Sequence, residues 1–258
     1  MKEQETLFAE ERKQKIMKML LNREKVTVGE LVEHFNVSGA TIRNDLREMG
    51  NRNMLVRTHG GAILCTNTGY EQDGRKEGQS TELKRRIAEA AFSLIENGDT
   101  IVLDTGTTTL ELAKLIGTKR GIVVVTNDIK IALAIEENES ISVLLLGGSL
   151  RKKHHCTTGP YAKAMLSDLT VDKAFMGVDC LSAKRGATTA DVNQAEMKKA
   201  MLSIANKKYY LCDSAKLGGS SFVQFADIGQ IDAAITDGSA DPAQIKDLED
   251  CGVKVIIA

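Results

Sequence analysis

Apolar positions in the first 64 residues recur at helical spacing. Ile16, Met19 and Leu20 line one face of a segment from about Glu10 to Asn22. Val28, Leu31, Val32 and Phe35 form a second stripe just after Thr27. Thr27 and Glu30 have the S/T-x-x-E spacing in which each residue satisfies a free amide of the first helical turn. Ile42, Leu46 and Met49, at i, i+4 and i+7, predict a third helix over about 39–49 with Ser38 as its N-cap. Two β-prone stretches within 54–64 flank Thr58-His59-Gly60-Gly61, which predicts a hairpin.

The pattern changes at Thr81. Short Val/Ile/Leu runs at 101–104, 122–126, 141–148, 173–179, 208–213, 233–237 and 253–258 alternate with helical stretches at 81–97, 107–116, 129–138, 160–167, 194–206 and 242–250. Continuous apolar runs suit strands buried on both faces, and their alternation with helices predicts a largely parallel sheet. Residues 65–80 hold almost no apolar side chain and read as a linker. The expected organisation is a small helical domain with a hairpin over 1–64, a linker over 65–80 and a larger α/β domain over 81–258.

Composition narrows the partners. The 258 residues carry 34 basic and 35 acidic side chains, a net charge of −1, so any nucleic-acid contact must be local. Residues 1–62 hold eleven Lys/Arg against nine Asp/Glu, about +2, too little to establish DNA binding through charge alone. The five cysteines include no CxxC pair, and adjacent His154 and His155 have no further ligands at metal-site spacing, so no metal is expected. No stretch approaches the roughly 18 apolar residues of a membrane span, and the charged N-terminus lacks a signal-peptide core. A cytoplasmic protein with reduced thiols is expected.

The third helix carries the most specific chemistry. Opposite its apolar stripe it presents Ala40, Arg43, Asn44 and Arg47, flanked by Ser38 and Thr41. Arginine can take both major-groove acceptors of guanine, and asparagine can pair with adenine. Two amphipathic helices joined by a short turn make a helix-turn-helix, and the hairpin adds a wing with Arg57 and His59 near phosphates or the minor groove. The plain alternatives are a helical domain with solvated charges and a protein-interaction module. Steep salt dependence of binding discriminates the last.

In the larger domain, Asp104-Thr105-Gly106-Thr107-Thr108-Thr109 runs from a strand into a helix. Its amides and hydroxyls can surround an anion, although a Thr-rich N-cap without ligand reads equally well. It is neither GxxxxGK nor GxGxxG, and no cofactor is expected. Polar residues or glycines end the other strands too: Asn127, Gly148, Asp179 and Lys216. Ligands of open α/β sheets bind at such ends. Arg151 opens a basic loop that can either clamp a phosphate or stay solvated. Glu196, Lys199 and Ser203 share one helical face, and a solvated ion pair explains them equally well.

VTVGELVEHFNVSGATIRNDLREM followed by LVRTHGGA resembles the winged helix-turn-helix of DeoR-family bacterial regulators. DTGTTT, VVTND, LLGGSLR, TTGP, FMGVD, GATTADVNQAE and DSAKLG resemble the effector domain of the same family, which is similar to ribose-5-phosphate isomerase. Asn44, Cys180 and Ala215 depart from the family pattern. The resemblance implies a repressor of sugar-metabolism genes, a homo-oligomer (dimer or tetramer) that binds double-stranded operator DNA under control of a phosphorylated sugar. It implies that Asp104, Thr105, Gly106, Thr107 and Thr108 hold phosphate or nearby hydroxyls. Asn127, Gly148, Arg151, Asp179, Asp191, Glu196 and Lys216 would line the sugar. The alternative is a sugar-phosphate isomerase-like enzyme with an attached helix-turn-helix, for which Glu196, Asp179, Asp191 and Lys216 would supply acid–base and oxyanion groups. The DNA-binding module favours a regulator with no catalytic residues.

Overall fold

The computed structural model describes residues 9–23, 25–51, 55–58, 60–64 and 76–258. The chain divides into two compact units, residues 1–67 and 68–258.

The first unit contains α1 (Ala9–Arg23), β1 (Lys25–Thr27), α2 (Val28–Phe35), α3 (Gly39–Asn51), β2 (Leu55–Thr58) and β3 (Gly61–Leu64). Both arms of the predicted capping box form: the Glu30 amide donates to Thr27 Oγ1 at 3.2 Å, and the Thr27 amide donates to Glu30 Oε2 at 2.7 Å. Asn36, left-handed at φ 50°, ends α2. Ser38 Oγ accepts from the Thr41 amide at 3.1 Å and starts α3. The predicted stripes meet in one core of Ile16, Leu20, Leu31, Ile42, Leu46 and Met49, closed by Val26, Leu55 and Ala62 from the strands. β2 and β3 form the predicted hairpin, and β1 adds an unexpected third strand in the order β1-β3-β2. Gly61 permits that pairing, because a Cβ there would lie 2.0 Å from the Val26 carbonyl oxygen.

The second unit begins with α4 (Lys76–Phe92) and continues through β4 (Thr100–Leu103), α5 (Thr107–Leu115), β5 (Ile122–Thr126), α6 (Ile129–Ile135) and β6 (Ile141–Leu145). Next come β7 (Ser149–Arg151), β8 (Cys156–Thr158), α7 (Pro160–Ala164), β9 (Val171–Gly177), β10 (Cys180–Ser182), β11 (Gly186–Thr189) and α8 (Val192–Ser203). β12 (Ala205–Leu211), β13 (Val223–Ala226), β14 (Ala233–Thr236), α9 (Pro242–Asp250) and β15 (Lys254–Ile257) complete it. The seven apolar runs become one seven-stranded sheet, β15-β14-β12-β9-β4-β5-β6, with every neighbouring pair parallel. Two apolar clusters, one holding Val102, Met176 and Tyr210 and the other Leu103, Phe175 and Ile235, take alternate residues of the central strands. Both prolines of the chain stand first in a helix, where no amide donor is needed.

Two expectations change. Residues 65–75 of the expected linker lie outside the described residues, but 76–80 belong to α4 rather than to a linker. Buried Ile87, Ala88 and Ala91 anchor that helix. Once nucleated, a helix extends at little cost per residue, even into a polar stretch. The expected strand over 141–148 stops at Leu145 and gives way to the antiparallel hairpin β7–β8. A separate antiparallel sheet, β10-β11-β13, was also absent from the sequence reading. These strands have only three or four residues, too short to show an alternating pattern.

Candidate functional sites

In the first unit, α3 sorts its charges by face. Ala40, Arg43, Asn44 and Arg47 are exposed, as is Ser38, and Thr41 is half-buried. Asp45, two residues from each arginine and so about half a helical turn away, points inward. Arg12 of α1 grips it with two bonds, Nε to Oδ2 at 2.6 Å and Nη2 to Oδ1 at 3.1 Å, with the side chains only 9% and 3% exposed. Lys13 pairs with Glu48. The acidic groups of α3 are thus neutralised by α1, and the outer face retains its two arginines. Arg47 Nη2 donates to Asn44 Oδ1 at 2.5 Å, and Asn44 Nδ2 donates to Glu48 Oε1 at 3.1 Å, which holds the amide side chain in line with the guanidinium. Such a surface offers fork-shaped donors and an amide to base edges. Arg57 lies in β2, but its side chain is outside the described residues, as is His59 altogether.

In the second unit, parallel strands bring the segments after β4, β5, β9 and β12 to one edge. Asp104, directly after β4, is fully buried. Its Oδ2 accepts from the Gly177 amide at 3.0 Å and from Lys198 Nζ, which also donates to the Gly177 carbonyl at 2.8 Å. Burial pushes the Asp104 carboxyl up, while Lys198 and the amides of Gly177 and Thr105 pull it back. Thr105 Oγ1 donates to Asp128 Oδ2 at 2.7 Å, and Asp128 Oδ1 caps α6 through the Lys130 amide at 2.8 Å. Gly106 starts α5 with no side-chain cap. The first amides of the helix, including those of Thr107 and Thr108, therefore have no partner of the kind that caps α6.

Asn127 is buried, and its Nδ2 donates to the Thr157 carbonyl at 2.8 Å, but its Oδ1 has no hydrogen-bond partner. Arg151 Nη2 lies 3.4 Å from Asp191 Oδ2, and its buried Nη1 has no partner either. Asp191 also caps α8 through the Gln194 amide at 2.8 Å. Asp179 accepts from Thr189 Oγ1 and from the Ala190 amide, both at 2.8 Å. Half-buried His154 sits in the field of Arg151, Asp191 and Asp179. Burial first, then Arg151, holds its imidazole below the ordinary value. Gly148, at φ 131°, passes so close to β8 that a Cβ would meet the Thr158 carbonyl oxygen at 2.6 Å.

Lys216 follows β12, is mostly buried and stands 3.9 Å from Asp213 Oδ2. Lys84 of α4 is half-buried, and its ammonium is depressed by burial and by Lys216. Glu196 takes a different position from the other expected residues. It is bonded to Lys163 of α7 at 2.8 Å, 3.9 Å from Lys199, with nearly half of its side chain exposed. Sequence reasoning overlooked Lys84 and Lys198. Lys198 had a signal: it stands three and four residues from Ala195, Met201 and Leu202, all buried, so the helical period assigns it inward. Among the described residues no group of three or more His, Cys, Asp or Glu could hold a metal ion, and no helix is long and apolar enough to cross a membrane.

The sequence matches the DeoR-like helix-turn-helix domain over residues 12–68 and the DeoR C terminal sensor domain over residues 79–238. The HTH-type transcriptional regulator GlpR of Haloferax volcanii is 38% identical over 247 residues, 95% of this chain and 96% of that protein. The HTH-type transcriptional repressor GlcR of Bacillus subtilis is 35% identical over 253 residues, covering 97% of each. The putative aga operon transcriptional repressor of Escherichia coli O157:H7 is 33% identical over 250 residues, 96% of this chain and 93% of that one. The expected likeness to ribose-5-phosphate isomerase is present but slight. One such isomerase, in complex with phospho-erythronic acid, aligns over 52% of this chain and 53% of its own at 23% identity and a TM-score of 0.40, too low to carry an argument about chemistry.

Proposed function

The chain belongs to the DeoR family of DNA-binding transcriptional regulators, and from that premise we propose that it represses sugar-metabolism genes under the control of a phosphorylated sugar. The family consists of regulators, not enzymes. The isomerase alternative also loses support from Glu196, whose carboxylate is engaged with Lys163 near the surface.

In this reading α3 enters the major groove, with Arg43, Asn44 and Arg47 at base edges and Ser38, Ala40 and Thr41 against the backbone. Arg57 and His59 of the hairpin reach the flanking phosphates. Sites on double-stranded DNA read by a helix-turn-helix are commonly paired half-sites. The active species is therefore a homo-oligomer, dimer or tetramer, working in the cytoplasm, and light scattering of the purified chain tests its size.

One observation carries the effector half. Asn127 Oδ1 and Arg151 Nη1 are both buried without partners. Unpaired buried polar atoms are costly, and a polar ligand supplying one donor and one acceptor would satisfy both. The phosphate lies against the start of α5, at Thr105, Gly106, Thr107 and Thr108, with Lys216 alongside and Lys84 within its field. The sugar hydroxyls meet Asn127, Arg151, Asp179, Asp191 and the Gly148 turn, with Glu196 at the rim. A ligand favouring one conformation of the sensor shifts the population competent for DNA. The deciding experiment is thermal unfolding against sugar phosphates and their unphosphorylated counterparts, followed by operator binding with any compound that raises the midpoint. A rise restricted to a phosphorylated compound, with a change in operator affinity, supports the reading. A flat response across the panel removes the effector half.

A further inference from the structure

We infer that Asp104 and Lys198 are a positioning pair, which shapes the effector site without touching the effector. The inference rests on the effector reading just given, but its geometry concerns protein atoms alone. The pair is deeply buried, with side-chain exposures of 1% and 6%. The Asp104 carboxylate is supplied with protein donors: the Lys198 ammonium and the amides of Gly177 and Thr105. Lys198 spends a second donor on the Gly177 carbonyl and faces the Phe225 ring at 5.3 Å.

Gly177 is therefore held at both ends, its N–H by the carboxylate and its C=O by the ammonium. The strands come close here: a Cβ at Gly177 would lie 3.2 Å from the Thr105 carbonyl oxygen and 3.5 Å from Asp104 Oδ2. Three segments meet in this knot. Asp104 leads into the Thr105–Gly106 turn that starts α5, Gly177 leads to Asp179, and Lys198 belongs to α8, whose cap Asp191 faces Arg151. A buried charge pair is tolerated when other protein groups take up its remaining hydrogen-bonding capacity, as the Gly177 carbonyl does for Lys198 and the Gly177 amide for Asp104. With its donors already provided by the protein, Asp104 has little left to offer a ligand, whereas displacing it would move three groups of proposed ligand contacts.

The test compares Asp104→Asn, Lys198→Met and the double variant D104N/K198M in the full chain. Asparagine can still accept from the Gly177 amide and methionine fills the lysine stem, so the double variant restores neutrality without restoring the carboxylate. Amide hydrogen exchange is measured without ligand. Binding of inorganic phosphate, glucose 6-phosphate, fructose 6-phosphate, ribose 5-phosphate and glycerol 3-phosphate is measured by calorimetry. Each single change is expected to speed exchange at Gly177 and Thr105, and to weaken any probe that binds the parent by about tenfold or more. The double variant leaves neither charge buried alone but still lacks the ammonium tie to the Gly177 carbonyl, so it is expected to recover part of both losses.

A double variant with restored exchange that binds as weakly as Asp104→Asn overturns the inference, because Asp104 would then be a ligand contact. Unchanged exchange at Gly177 in Lys198→Met also overturns it. If Lys198→Met does not fold, Lys198→Gln, which keeps a donor for the Gly177 carbonyl, takes its place. Should no probe bind the parent, the effector reading fails alone, and the exchange data still decide whether the pair ties the loops.

Discussion

Each unit holds a buried ion pair close to its proposed ligand contacts, and the two pairs are used differently. In the first unit Arg12 and Asp45 join α1 to the back of α3, while Arg43, Asn44 and Arg47 remain at the surface. In the second, Asp104 and Lys198 lie among the proposed ligand contacts, and the neighbouring polar groups are themselves buried or half-buried. The proposed ligands account for the difference. DNA is a large solvated polyanion that is met by exposed donors, and its affinity depends on salt. A small polar effector must be enclosed to be recognised, so its contacts leave water and every unpaired one is costly. A reading surface can consist of one helix, whereas an enclosing site needs several chain segments held in register.

The largest effect should come from breaking the first pair. Asp45→Ala leaves the Arg12 guanidinium buried without its carboxylate and should destabilise the first unit by about 3–5 kcal/mol. In denaturant unfolding followed by hydrogen exchange, α1–α3 should open early while the seven-stranded sheet keeps its protection. Equal loss in both units would show that they do not fold separately.

Next in size, Arg43→Ala or Arg47→Ala should weaken operator binding by about 1–3 kcal/mol and relax specificity at one position, leaving effector-induced stabilisation unchanged. Losing both together would end the division of labour between the units. Lys216→Ala should do the reverse, raising the effector concentration for half-response by about tenfold with the ligand-free operator affinity retained. An unchanged dose response would remove Lys216 from the phosphate contacts.

The smallest effect concerns pH. His154 is held below its ordinary value in the folded chain, so the unfolded chain takes up a proton first as the pH falls. Stability should be greatest above about pH 6.5 and decline through that value as acid is added. His154→Asn should flatten that part of the profile of melting temperature against pH. An identical profile would mean that Asp179 and Asp191 offset the burial and the Arg151 charge. Because the imidazole is half exposed, solvent screening keeps the effect modest.

The two units also differed in how far they could be read from the chain. Helix α3, proposed to face DNA, was legible because a single period of 3.6 residues sorts Ile42, Leu46 and Met49 from Arg43, Asn44 and Arg47, and the local cap at Ser38 marks its start. The seven buried strands were legible because runs such as Ile122–Thr126 are continuously β-branched and fully enclosed strands need no alternation. The short strands β7, β8, β10 and β11 were not, since pairing between distant segments makes them strands despite weak local preference.

What the sequence determined by itself was local: periodicity, caps, turns, and the polar residues that end each apolar run. Those features depend on neighbours within about a turn of helix, where i to i+4 geometry is almost invariant. Only the tertiary structure decided which polar ends meet. It alone turned Asp45 toward Arg12, closed Lys198 onto Asp104 across 94 positions of chain, left Asn127 Oδ1 and Arg151 Nη1 without partners, and drew Glu196 away to Lys163. Ion pairing and burial act through space, and sequence separation does not encode the distances on which they depend.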